Sequence, residues 1–276
     1  MAQGLLFKLP VGGATNMKNT IFGRPSLTCL SPWDIIPAEC EVAGMRISTS
    51  KSEAMTLSRK PVDCLLRVGN ESLAQVKEFK YLGVLFASEG TMEREIGRRI
   101  RAAGAVLCSL YRTVATKREL SRKAKLSIYR SILVPILTYG HEGWVMTERT
   151  RSWVQAAEIS FLRRVAGFSL RDRVRSSVIH EELGLKPLLL CLERSPLRWF
   201  GHLVRMPTGR LPWEGFQAQP VGGRPRGRPR TRWRDYISTL AWERLGIPPS
   251  ELVNVARERE ICGPLLELLP PRPDPR

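Results

Sequence analysis

Phosphoryl transfer on a nucleic acid needs carboxylates gathered around two cations, in line with the attacking and leaving oxygens. The chain has five aspartates, Asp34, Asp63, Asp172, Asp235 and Asp274, and no two are close in sequence. Asp34, Asp63 and Asp274 fall in loop-like stretches, and Asp172 reads as a helix cap. Glu181-Glu182 suits the solvated edge of a helix better than a metal site. The three histidines, His141, His180 and His202, lack metal-ligand spacing. His141 stands in Tyr139-Gly140-His141-Glu142-Gly143-Trp144, the setting of a turn histidine beside a buried tryptophan. His202 follows an aromatic pair and reads as a packed helix histidine. Nucleophile elbow, phosphate loop and dinucleotide fingerprint are missing. On these grounds the chain does not read as an enzyme, and the expectation is no catalytic residue, no metal site and no cofactor.

Binding chemistry is more evident. Arginine takes every second position from Arg224 through Arg226, Arg228, Arg230 and Arg232 to Arg234, six in eleven residues without an acid. The interleaved Pro225, Gly227 and Pro229 prevent a helix, so the strip should be extended. Such a strip can lie along phosphates, or in a narrow minor groove whose negative potential draws guanidinium groups. Pro225-Arg226-Gly227-Arg228-Pro229 resembles an AT-hook. A basic linker that touches phosphates without reading sequence is the plainer alternative.

A second basic element precedes it. Ile96, Ile100, Ala103, Leu107, Leu110 and Val114 recur at helical spacing from Thr91 onward. Arg94, Arg98, Arg101 and Arg112 share the opposite face, at about 100° per residue. Between positions 94 and 130 only Glu95 and Glu119 offset eleven basic residues. A solvated face normally mixes signs, so phosphate contact and simple solubility both remain open here.

The whole composition agrees with a polyanion partner. Forty-four Lys and Arg against 26 Asp and Glu leave a net charge of +18 over 276 residues. That surplus points to an RNA or DNA duplex held through its phosphates, with an anionic membrane second. Hydrophobic residues at 43 % fit a globular chain with an adequate core. Cys29, Cys40, Cys64, Cys108, Cys191 and Cys262 show no Cys-x-x-Cys, which suggests reduced thiols rather than a zinc ribbon or a disulfide framework. No apolar run is long enough to span a membrane and no secretory leader is evident, so the expected location is cytoplasmic or nuclear.

The elements expected to position these groups form a mainly α fold. Residues 1–37 read as irregular. Residues 38–44 suggest a helix end, and short strands at Met45–Ser48, Glu53–Leu57, Leu65–Val68 and Phe79–Phe86 suggest a small antiparallel sheet. Helices follow: one from Thr91; one capped by Ser121 and kinked at Pro135; one over Trp153–Val165, stopped at Gly167. Asp172 is expected to cap Val174–Leu183, which ends at Gly184. Pro187 opens a further helix with a break near Pro196. Residues 207–230 read as a linker. Thr231 caps a helix with Trp233, Ile237, Leu240, Ala241 and Leu245 inward, and a last helix covers 250–261 before a frayed tail over 270–276.

The order of several motifs adds a family resemblance. Lys80-Tyr81-Leu82-Gly83-Val84, Glu95-Ile96 with Arg99-Ile100, Tyr139–Trp144, Phe161-Leu162-Arg163-Arg164-Val165, Asp172-Arg173-Val174-Arg175, Leu197–Met206, and Arg226–Pro229 with Trp233 resemble the downstream part of LINE-type (non-LTR) retrotransposon reverse transcriptases. The likeness is strongest to Rex/Babar-type elements and covers roughly residues 38–276. It implies a palm remnant over 38–90, with Lys80–Val84 near the primer grip. It also implies a helical thumb-like domain over 91–206, and a basic C-terminal region with two helices over 207–276. The family's Ala-Asp-Asp motif has no counterpart here, and residues 1–37 do not resemble a palm, so no catalytic aspartate can be carried over. The resemblance gives Arg94, Arg98 and Arg101 the duplex-gripping role of a thumb. Trp199 and Trp233 could stack on bases, but tryptophans in a helical block read rather as core. The function expected is nucleic-acid binding by a truncated, polymerase-derived protein. A non-functional translated relic and a co-opted interaction protein are the alternatives.

Overall fold

The computed structural model describes residues 4–12, 18–23, 46–48, 50, 52–57, 67–68, 71–110, 120–217 and 231–272. It is mainly helical, with a small strand-bearing section followed by helices. The chain divides into a strand unit that closes at Glu95 and a helical unit that begins at Ile96.

In the strand unit, β1 (Gly4–Gly12) pairs antiparallel with β2 (Lys18–Gly23) and with β4 (Glu53–Leu57). β3 (Arg46–Ile47) joins the far end of β1, and β4 pairs in parallel with β7 (Ala74–Gln75). The reading of residues 1–37 as irregular is therefore corrected over 4–12 and 18–23. Pro10 and a broken apolar alternation hide β1 from local inspection. Its ladders are supplied by β2 on one side, in a local hairpin, and by β4 on the other, farther along the chain, and such pairing overrides local propensity. Pro10 is opposite Lys18 at the end of the β2 ladder and falls between the Gly4–Lys8 ladder to β4 and the Val11–Gly12 ladder to β3. The helix end expected at 38–44 lies outside the described residues.

Two hairpins complete this unit, β5 (Arg67–Val68) with β6 (Glu71–Ser72), and β8 (Glu78–Tyr81) with β9 (Val84–Ala87). The run read as one strand, Phe79–Phe86, is the second of these. It turns at Leu82 and Gly83, whose φ angles are 45° and 81°, the double positive φ of a tight hairpin turn. Met55 and Phe79 are buried together, with Val76, Tyr81 and Phe86 packed on them.

In the helical unit, α1 (Glu93–Leu110) buries Ile96 and Ala103 as its apolar stripe predicts. α2 (Arg122–Ile128) is capped by Ser121, whose hydroxyl accepts from the Ala124 N–H. At Pro135 the regular α-helical pattern is interrupted rather than continuous. A π turn at Tyr129–Leu133 leads into α3 (Val134–Thr138), and Pro135 sits in the first turn of α3, where it needs no N–H partner. α4 (Glu148–Ala166) starts earlier than predicted because Thr147 and Thr150 form a capping box, and it ends on left-handed Gly167. Asp172 does not cap α5 (Ser176–Leu183). Its carboxylate accepts from the Ser169 N–H and closes a separate 3-10 turn, Leu170–Asp172.

The longest apolar helix, α6 (Leu188–Val204), runs through Pro196 without a break, with that ring buried in the core. Packing around it outweighs the one hydrogen bond proline removes. α7 (Leu211–Gln217) occupies part of the stretch read as linker. α8 (Trp233–Leu245) has Arg232, not Thr231, at its N-cap. Tyr236, Ile237, Leu240 and Ala241 are buried, while Trp233 and Leu245 are half-buried. The single last helix becomes two, α9 (Leu252–Arg257) and α10 (Arg259–Glu267), divided at extended Glu258. α6 packs against α4, α7, α8, α9 and α10, so it forms the axis of the unit. Among the described residues, no helix is long and apolar enough to cross a membrane.

Candidate nucleic-acid interface

Two buried carboxylates anchor the helices that carry the surface. Glu158 Oε1 accepts from the Tyr129 hydroxyl at 2.6 Å and the Leu188 N–H at 3.1 Å, and lies 3.2 Å from His180 Nε2. His180 Nδ1 meets the Ser176 carbonyl at 2.8 Å. Both ring nitrogens thus face acceptors, and each must carry a proton for both contacts to be hydrogen bonds. The cluster ties α4, α5 and the start of α6 together. Glu193, on α6, accepts from Arg244 Nε at 2.9 Å and from Arg272 Nε. Burial works against the Arg272 charge, but hydrogen bonds and the fields of Glu193 and then Glu243 hold its pKa above the ordinary value. The tail read as frayed from 270 is thereby fastened at Arg272.

The arginines singled out from sequence separate into four groups. Arg94 belongs to the strand unit and is paired with Glu78 at 3.1 Å and Glu89 at 2.9 Å, which offsets much of its attraction for phosphate. Arg98 is half-buried and Arg101 exposed on α1. Arg112, Arg224, Arg226, Arg228 and Arg230 lie outside the described residues. Arg232 and Arg234, the end of the strip, are exposed at the start of α8. The Arg234 guanidinium stands 5.4 Å from the centre of the Phe216 ring.

The aromatic residues also part company. Trp233 donates its indole N–H to the Glu142 carbonyl at 2.8 Å and meets Phe216 edge-on, and Phe216 in turn stacks with Trp213. That cluster makes Trp233 a structural residue. Trp144 is fully buried, and the His141 ring packs against its edge while Nδ1 contacts the Thr138 carbonyl. His141 is the turn histidine its motif suggests. His202 is not the packed histidine expected. It is exposed, 5.3 Å from Trp199 between ring centres, and Trp199 itself is 36 % exposed.

Trp199 stands between two clefts. One, of about 750 Å³, is lined by Arg198, Trp199, His202, Arg205, Arg259 and Cys262, with Glu142 and Glu267 also at its wall. The other, of about 520 Å³, includes Trp199, Phe216, Trp233, Arg232 and Arg234. Sequence inspection missed this surface although a signal was there. Ser195, Arg198, Trp199, His202 and Arg205 repeat at helical spacing on one face of α6, while Leu192, Leu197, Phe200, Leu203 and Val204 fill the buried side. Gly201 leaves room for Arg205. A Cβ there would stand 3.1 Å from the Arg205 guanidinium, which donates to the Ala256 carbonyl and joins α6 to α9. Burial raises the Cys262 thiol pKa, with Arg205 and Arg198 opposing, so the thiol stays protonated at neutral pH. Among the described residues, no group of three His, Cys, Asp or Glu side chains is arranged to hold a metal ion.

No family model matches the chain. It is 27 % identical over 208 residues, 72 % of its own length, to a putative uncharacterized transposon-derived protein of Caenorhabditis elegans, and the match covers 74 % of that protein. It is also 24 % identical over 133 residues, 48 % of its length, to the RNA-directed DNA polymerase from mobile element jockey of Drosophila melanogaster, of which it spans 14 %. Both similarities support an origin in a transposable element.

Proposed function

We propose that the chain is a nucleic-acid-binding protein derived from a non-LTR retrotransposon reverse transcriptase of the Rex/Babar type. In this reading its helical unit corresponds to the thumb and the basic C-terminal region of the polymerase. The observation that carries it is the cationic, aromatic face on which Arg198, Arg232 and Arg234 stand exposed around Trp199, in a chain of net charge +18. Guanidinium groups on a rigid helical frame neutralise phosphates and release counterions without reading sequence. Arg98 and Arg101 add to that charge. The buried networks at Glu158 and Glu193 support a folded binder over a translated relic. The protein acts in cytoplasm or nucleus, on RNA or DNA.

The test is a titration of the purified chain against labelled duplex over a range of salt. Six phosphate contacts give a log–log slope of about −5 on B-form DNA. A flat response, or no binding at low salt, overturns the reading.

A further inference from the structure

Resting on the binding function just proposed, we infer that the cleft between α6 and α10 takes an unpaired base of single-stranded nucleic acid, stacked on Trp199 beside His202. Four observations converge. The Trp199 indole is exposed, although it sits on the most deeply packed helix of the unit. His202 lies one turn on, at 5.3 Å, with its ring tilted 39° to the indole, so two aromatic surfaces front the same opening. The 750 Å³ cleft falls within the range of about 300–1,000 Å³ typical of small-ligand pockets. Arg198 and Arg259 line it, and neither takes part in an ion pair among the described residues.

Charge alone does not explain this cleft. Of its three arginines, Arg205 already serves the Ala256 carbonyl, and Glu142 and Glu267 face the same space. A bare phosphate or a rigid duplex backbone therefore gains little here. A ligand that combines a flat aromatic ring with a phosphate link gains on both counts. The ring lies on Trp199, and the flanking phosphate reaches Arg198 or Arg259. Bases in a duplex are stacked on one another and cannot reach a side-chain plate, so the ligand is single-stranded. Arg232 and Arg234, in the neighbouring cleft that shares Trp199, are placed to follow the strand onward.

The experiment compares a fluorescent single-stranded oligonucleotide with an abasic oligomer of the same length and phosphate count. Binding to the full chain is followed by anisotropy at one salt concentration. Wild type should bind the base-bearing oligomer about tenfold more tightly, the scale of one aromatic stack, and that oligomer should quench tryptophan emission. Trp199→Leu should bring the ratio to about one with abasic binding unchanged, while Trp199→Phe should keep most of it. Trp242→Leu, at an exposed tryptophan on α8 outside both clefts, should leave the ratio intact. Replacing both Arg198 and Arg259 with Gln should weaken both oligomers together. A wild-type ratio near one, or a ratio that survives Trp199→Leu, overturns the stacking site while salt-dependent duplex binding still stands. Absence of binding to every oligomer and to duplex overturns the binding function as well.

Discussion

Tyr129 donates its phenolic hydroxyl to Glu158 across 2.6 Å, joining the π turn between α2 and α3 to the middle of α4. The wider backbone of that turn brings Tyr129 into the core, where its ring also stacks on Phe161 with centres 6.0 Å apart. One carboxylate oxygen thus gathers three elements and the first residue of α6.

Removing that carboxylate strands three polar groups. Glu158→Ala leaves the Tyr129 hydroxyl, the Leu188 N–H and a His180 nitrogen without their acceptor, in a site closed to water. Unsatisfied buried groups and a broken buried pair predict a loss of about 3 kcal/mol or more. Glu158→Gln keeps an acceptor oxygen and should lose about half as much. Urea unfolding of the three proteins decides this, and equal stability of wild type and Glu158→Ala would refute it.

Alkaline pH provides a separate check on the same residue. Burial, followed by the charge of Glu158 and the hydrogen bond to it, raises the Tyr129 pKa well above 10.0. Below pH 10 the phenol is protonated in folded and unfolded chains alike, and its stabilisation is fully present. Above that value the unfolded chain releases the proton while the folded chain retains it, so stability falls as pH rises. The slope contributed by one such group approaches about 1.4 kcal/mol per pH unit. Tyr236, also raised by burial and only partly opposed by Arg151, acts in the same direction. Tyr129→Phe should make the decline between pH 10 and 11.5 shallower by about that one-group slope. An unchanged slope in urea midpoints across this range would contradict the assignment.

The β8–β9 turn places a leucine in a backbone region that suits glycine or asparagine. Leu82 has φ 45° and is 61 % exposed, so its side chain gains little packing to offset the left-handed strain. Leu82→Asn should raise stability by about 0.5–1 kcal/mol, since Asn-Gly is the preferred pair for this turn. A lower melting temperature for the variant would show that Leu82 is held by contacts stronger than the strain.

The C-terminal tail is fixed by an ion pair between a partly exposed arginine and a buried carboxylate. Arg272 meets Glu193 and also lies 3.2 Å from Glu243, while Arg244 holds the other Glu193 oxygen. Arg272→Ala should cost about 1–2 kcal/mol, because Arg244 still compensates the buried carboxylate. Glu193→Ala should cost more, since it leaves two guanidinium groups facing each other. Thermal melts rank the two variants, and the reverse order would rule out Glu193 as the shared anchor.

Chemistry on nucleic acid is expected to be missing from this chain. Asp172 is committed to the Ser169 turn and Asp235 stands in the first turn of α8, so two of the five aspartates are placed far from any paired-cation geometry. The purified protein should not extend a primed RNA template with Mg²⁺ or Mn²⁺. Template-dependent extension by a preparation free of other polymerases would reverse this expectation.

Local sequence determined much of the helical unit. Ser121, Gly167, Gly184, Pro187 and Gly246 mark helix ends where the structure has them, because capping depends on one residue's own donors, acceptors or φ. The apolar stripe of α1 and the inward residues of α8 were legible for the same reason, since helical period is written in neighbouring residues. Tertiary structure alone decided the rest. Strand β1 is enclosed by β2 on one side and by β4 on the other, and the second of these partners lies outside any local window around Pro10. Pro196 stays inside α6 because the surrounding helices pack on it, and Pro135 follows a π turn that opens a new α-helical segment. Trp199 and Trp233 share a residue type that reads as core, and that reading fails for Trp199, which is 36 % exposed. Glu142, 91 positions away, takes the Trp233 indole N–H, while the α6 face leaves Trp199 at the mouth of a cleft. Burial of a side chain depends on partners distant in sequence, and those partners meet only in the folded chain.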